Sequence, residues 1–112
     1  MRGYYNDAAQ FNPSLRNGGK SYENVYGPGS MDYSERVMQS YMNRYATVRR
    51  LGRRATDEDI ARIHNGGPNG YRNPNTLQYW RKVQSYLPLI KQQGEEKERL
   101  VKTFLRYLLL QE

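Results

Sequence analysis

Ala61-Arg62-Ile63-His64-Asn65-Gly66-Gly67-Pro68-Asn69-Gly70-Tyr71, continued through Arg72-Asn73-Pro74-Asn75-Thr76 to Leu77-Gln78-Tyr79-Trp80, reads as a helix end, a loop and a helix start. Thr56, followed three residues later by Asp59, is close to a capping box with Asp in place of the usual Glu or Gln. A helix therefore opens near Thr56 and turns Ile60 and Ile63 toward a core. The run of glycines with Pro68 cannot continue it, because glycine costs backbone entropy and proline lacks the N–H. A further helix opens at Asn75 or Thr76 and carries Leu77, Trp80, Val83, Tyr86 and Leu87. Pro88 is expected to end or kink it.

Outward from that hairpin, Tyr33, Val37, Tyr41 and Tyr45 fall four apart, with Met38, Met42 and Val48 beside them. The spacing predicts a helix from about Met31 to Val48 with one wide apolar face. Ser30 stands as its N-cap, and Asp32 and Glu35 lie where the helix dipole favours negative charge. Leu51-Gly52 closes it. Residues 1–30 hold the turn signals Asn12-Pro13-Ser14, Asn17-Gly18-Gly19 and Gly27-Pro28-Gly29, with Tyr4, Tyr5, Phe11, Tyr22 and Tyr26 between them. That alternation reads as an ordered loop packed on a core rather than regular structure. From about Glu95 to the end, Leu100, Val101, Phe104, Leu105 and Leu108 recur at helical spacing. No stretch alternates long enough for a strand, so the class is all-α or mostly so. The organisation expected is one domain over residues 1–87, then a linker and amphipathic helix over 88–112 that docks on the domain or on a second copy of the chain.

Composition narrows the function. The chain has 112 residues, 37% of them hydrophobic, and no cysteine, so disulfides, thiol nucleophiles and Cys-ligated zinc are excluded. One histidine is too few for a His-rich metal site, and no cofactor motif is present. No apolar run approaches the length of a membrane span, and the N-terminal residues have no apolar stretch of the secretory kind. The net charge of +7 is concentrated in residues 31–54, around Arg44, Arg49, Arg50, Arg53 and Arg54. Arg49, Arg50, Arg53 and Arg54 are a candidate patch for polyanions such as an anionic cell envelope, or simply a solvated surface. Nucleic acid is the weaker partner, since no zinc finger, RNA-recognition signature or helix-turn-helix spacing is present.

The His-Asn-Gly-Gly-Pro-x-Gly run at His64–Gly70, the pair Tyr79-Trp80 and the step Lys82-Val83 closely resemble the C-terminal half of invertebrate-type lysozymes, also called the destabilase family. Tyr41-Met42-Asn43-Arg44-Tyr45 resembles that family's Tyr-Met-x-Arg-Tyr helix. The likeness covers roughly residues 4–87 and implies a small lysozyme-like helical domain, to which the residue reading adds the long N-terminal loop region and, outside the match, an extra C-terminal helix. It implies peptidoglycan as ligand, cleavage after N-acetylmuramic acid as reaction, and usually secretion. Two departures stand out. Where the family places Cys, this chain has Asp57, Tyr71 and Ser85 or Tyr86. The family's catalytic Glu and Asp belong to segments that the match leaves upstream of Tyr4. Glycoside hydrolysis needs two positioned carboxyls, one kept protonated by an apolar surround. Glu23 and Asp7 are the candidate substitutes, neither in the family's catalytic context, and Ser34, Ser40 and Ser85 lack a nucleophile-elbow pattern.

The loop has two readings. It is a tight inter-helix turn with His64 capping a helix end, or a sugar-binding element. In the second, His64, Asn65, Gly66, Gly67, Asn69 and Tyr71 offer a ring, side-chain amides, backbone amides and a flat surface to hydroxyl and acetamido groups. The resemblance favours the second; Trp80, at a helical apolar position, reads as core rather than as a ligand platform. The function expected is amino-sugar polymer binding with weak or absent muramidase activity; the alternative is a non-enzymatic basic antimicrobial or polyanion-binding protein.

Overall fold

A computed structural model describes residues 2–26 and 29–92, with side chains as far as Tyr86. Among the described residues, five α-helices run in chain order: α1 (Arg2–Phe11), α2 (Met31–Tyr45), α3 (Val48–Leu51), α4 (Asp57–Gly66) and α5 (Leu77–Gln92). Short 3-10 turns fill the links at Pro13–Gly19, Tyr22–Val25, Gly70–Arg72 and Pro74–Thr76. There is no strand among the described residues, and no helix there is long and apolar enough to cross a membrane. The expected helix from Glu95 onward lies outside the described residues.

The N-terminal segment departs from the sequence reading. Residues 2–11 form a helix, not a loop, because every turn signal of the first thirty residues lies after Phe11. Tyr5, Ala8 and Ala9, at the i, i+3, i+4 spacing of one helical face, are buried. They pack against α2, whose buried face is Tyr33, Val37, Met38, Tyr41 and Met42. Leu15 and Val25 hold the intervening turns on the same core, to which Ile63 of α4 and Val83 of α5 also belong.

Helix caps and ends differ as well. Ser30 occupies the N-cap position of α2 in helical backbone geometry, and its side chain makes no cap bond. Helix α2 stops at Tyr45, because Thr47 turns extended and its hydroxyl accepts the Arg50 amide, starting the short α3. Val48 is thereby moved off the apolar face and lies 62% exposed. Gly52, at φ 76°, ends α3 instead of α2. Pro88 does not end α5, which continues to Gln92; one missing N–H removes a single hydrogen bond from a helix of four turns. The capping box at Thr56 and Asp59 is present as read: Thr56 Oγ1 accepts from the Asp59 amide at 3.1 Å, and Asp59 Oδ2 from the Thr56 amide at 2.8 Å.

With no cysteine, tyrosine hydroxyls tie the N-terminal segment down. Tyr33 donates to the Leu15 carbonyl at 2.7 Å and shares a hydrogen bond with Tyr5 at 2.9 Å, both buried. Ser34 donates to the Val25 carbonyl at 2.7 Å, and Asn12 Nδ2 to Ser40 Oγ at 3.0 Å. Replacing Tyr33 with Phe removes the donor from a buried carbonyl. The expected cost is about 1–3 kcal/mol in a denaturant melt, and an unchanged midpoint would mean that Leu15 is held by packing alone.

Candidate functional site

The His64 loop is fixed from three sides. His64, in the last turn of α4, is buried, and its Nδ1 shares a 2.8 Å hydrogen bond with the Tyr4 hydroxyl of α1. The Tyr4 ring stacks on Tyr41 of α2, centroids 3.7 Å apart and 10° from parallel. Burial drives the His64 pKa down to about 3, so the ring is neutral at physiological pH. Burial likewise raises the Tyr4 hydroxyl well above its ordinary value, and raises Tyr41 to about 12. His64 is therefore a neutral hydrogen-bonding member of an aromatic stack, and its ring does not cap the helix as the turn reading supposed.

The second side is Arg50. Its guanidinium donates to the Tyr45 carbonyl at 2.7 Å, the Pro68 carbonyl at 2.9 Å and Asn69 Oδ1 at 3.1 Å, joining the end of α2 to the loop. The third is Arg62, which the sequence reading passed over. This buried side chain donates to Thr76 Oγ1 at 2.8 Å, Glu58 at 2.7 Å and the Asn73 carbonyl at 3.1 Å. Thr76, also buried, donates toward the Gly70 carbonyl at 2.7 Å. An Arg four residues after Glu58 was the available signal, since that spacing puts both on one helix face.

The glycines of the loop serve conformation and packing. Gly67, at φ 86° and ψ −171°, sits in a region only glycine adopts freely. Its amide donates to the Ile63 carbonyl at 2.8 Å, completing the helix end. A Cβ on Gly66 would meet the Thr76 methyl at 2.4 Å, and one on Gly70 the Arg62 carbonyl oxygen at 2.0 Å. Asn65 and Asn69 are exposed, Tyr71 is half-buried with the Arg72 guanidinium 5.7 Å from its ring centre, and Trp80 is half-buried against the core.

The other candidates are dispersed. Glu23 is exposed and pairs with Arg2 at 3.3 Å. The Ser21 hydroxyl, the backbone and Arg2 together lower its carboxyl pKa, the reverse of what a general acid requires. Asp7, half-buried on α1, accepts from the Tyr45 hydroxyl, and its backbone carbonyl accepts from Arg44 at 2.9 Å. Arg53 grips Asp59 with both Nη atoms, one of them at 2.7 Å. Burial of Asp59 opposes its charge, but Arg53 and the Thr56 cap outweigh that and lower its pKa. Of the four arginines in the basic patch, Arg50 and Arg53 thus bond within the fold, and Arg49, Arg53 and Arg54 are exposed.

The described residues thus form a strand-free helical domain that frames a polar loop between an aromatic stack and a buried arginine. The chain belongs to the destabilase family, whose profile matches residues 1–86. It is 56% identical over 52 residues to Lysozyme 1 of Crassostrea virginica, a match covering 46% of this chain and 27% of the oyster protein. An invertebrate-type lysozyme of Ruditapes philippinarum is 47% identical over 51 residues, covering 46% of this chain and 36% of the relative. Invertebrate-type lysozyme 6 of Caenorhabditis elegans is 38% identical over 79 residues, covering 69% and 55%. The chain therefore aligns with about half or less of the length of these relatives. No solved structure matches it significantly.

Proposed function

We propose that this segment binds amino-sugar polymer of the peptidoglycan type at the Asn65–Tyr71 loop, with weak or absent cleavage of its own. The observation that carries the reading is preorganisation: the loop is held by His64–Tyr4, Arg50 and Arg62–Thr76, while the Asn65 and Asn69 side chains face solvent. A loop fixed before binding loses little freedom on contact, which suits weakly binding neutral sugars. Asn69 Oδ1 already accepts from Arg50 and from Arg72 at 3.3 Å, so its NH2 group is the end offered to a ligand acetamido or hydroxyl oxygen. Membership in the destabilase family and the lysozyme names of its relatives support the ligand class. The lowered carboxyls of Glu23 and Asp59 support the weak-cleavage part, since neither holds a proton near neutral pH. The engagement of Arg50 and Arg53 weighs against the four-arginine cluster as a polyanion surface.

Co-sedimentation with insoluble peptidoglycan at low and moderate salt, alongside turbidity clearing, tests this. Wild type is expected to bind at both salt levels without clearing, and Asn65→Ala to weaken binding several-fold. Clearing that Glu23→Gln or Asp7→Asn abolishes would overturn the catalytic part, and binding that vanishes with salt would overturn the site.

A further inference from the structure

Charge on this chain is distributed differently in space than along the sequence. Arg2 pairs with Glu23, Arg53 with Asp59 and Arg62 with Glu58, while Arg44 and Arg50 donate to carbonyls of the fold. A different group of cations gathers around the buried pair Tyr5 and Tyr33. The Lys20 ammonium lies 5.8 Å and the Arg36 guanidinium 6.0 Å from the Tyr33 ring centre, and the Arg16 guanidinium lies 5.5 Å from that of Tyr5. The two rings are 6.4 Å apart and their hydroxyls share a hydrogen bond, so the three cations surround one aromatic unit. All three side chains are exposed, and they come from the 3-10 turn Pro13–Gly19, the residue after it, and α2. Arg16 also donates to a neutral amide, Asn6 Oδ1, at 3.5 Å, and the nearest acids along α2 are the exposed Asp32 and the half-buried Glu35.

We propose that Arg16, Lys20 and Arg36 form a binding patch for a flexible phosphodiester polymer with uncharged polyol spacers. Three exposed cations around one aromatic pair attract a chain of phosphates, whose binding releases counterions. The choice of polyol phosphate over nucleic acid rests on the rings. Single-stranded nucleic acid binding draws on open aromatic faces for base stacking, whereas Tyr5 and Tyr33 are 3% and 7% exposed and already lie against cations. The patch reads charge and not bases. Tyr33 lies about two turns of α2, roughly 12 Å along the helix, from Tyr41, and the patch does not rest on the sugar-binding reading.

The test is titration of the whole chain with poly(glycerol phosphate), followed by calorimetry across a series of salt concentrations, beside an oligo-dT of equal charge. The triple variant Arg16→Gln, Lys20→Gln, Arg36→Gln is expected to bind the polyol phosphate at least tenfold more weakly. Its slope of log affinity against log salt should be shallower by about 2 to 3, at roughly 0.7–0.9 for each phosphate contact. Arg16→Lys, Arg36→Lys retains the charge and is expected to bind nearly as wild type, which separates loss of charge from loss of fold. The double variant Arg49→Gln, Arg54→Gln should change little. An unchanged triple variant, or an equal loss in the double variant, would overturn the patch. Tighter binding of oligo-dT through the same three residues would overturn the choice of polymer.

Discussion

Gly70→Ala should cost about 3 kcal/mol or more, a fall in Tm on the order of 10–20 °C for a domain of this size. The added methyl carbon would stand 2.0 Å from the Arg62 carbonyl oxygen and 2.8 Å from its carbonyl carbon, both backbone atoms of α4 that have no rotamer to change. To relieve the overlap, the turn Gly70–Arg72 must move away from α4. That movement pulls the Gly70 carbonyl from the Thr76 hydroxyl, and Thr76 from the buried Arg62. The effect therefore spreads from one contact into a buried polar network, where an unsatisfied group adds a further 1–3 kcal/mol. Gly3→Ala is the natural comparison: it meets nothing within 4 Å and lies in α1, where alanine is the better helix former. Thermal melts should show Gly3→Ala equal to or above wild type and Gly70→Ala far below it. If the two variants melted together, the loop would not be packed against α4 in this way.

Acid should unfold the domain through His64 before it does so through any carboxylate. His64 has its pKa lowered by burial to about 3, against an ordinary value of 6.5 in an unfolded chain. Above pH 6.5 both states are neutral at this residue and folding is unaffected. Below it the unfolded state takes up a proton that the folded state refuses, so stability falls with falling pH until the folded ring itself titrates near pH 3. The loss is about 2 kcal/mol between pH 7 and pH 5, and roughly 4–5 kcal/mol once both pKa values are passed. The lowered carboxyls of Asp59 and Glu23 act in a separate window. Their contribution is present above the ordinary carboxylate range and is lost only as pH falls through and below it. Urea midpoints between pH 7 and pH 5 thus isolate the histidine. Wild type should decline across that interval, and His64→Phe, whatever its absolute stability, should be flat. A flat wild-type profile would contradict a buried neutral His64.

The helices that were legible in the sequence are those with both a period and a cap. Thr56 and Asp59 announced α4, and the four-residue spacing of Tyr33, Val37 and Tyr41 announced α2. Helix α1 was obscured because dense turn signals after Phe11 coloured the reading of the ten residues before it, although Tyr5, Ala8 and Ala9 already carried the helical spacing. Val48 was misplaced because apolar periodicity does not register a Thr47 hydroxyl that starts a new helix. In the candidate site, local signals located the His64 loop. What they could not convey was how it is held, because each support comes from far along the chain: Tyr4 meets His64 across 60 residues, and Arg50 meets Pro68 across 18. For the same reason, charge counted along the sequence over Arg49–Arg54 does not show that Arg50 and Arg53 are already bonded to Pro68 and Asp59.

We propose that a loop held rigid by His64, Arg50 and Arg62 recognises neutral amino sugar through its exposed amides. The most direct test of this is a nitrogen-15 NMR titration with a soluble chitin oligosaccharide at two salt concentrations. The expected result is a set of shifts confined to Asn65–Tyr71 and their immediate neighbours, equal in size at both salts. Shifts that disappear at the higher salt, or that leave residues 65–71 untouched, would contradict it.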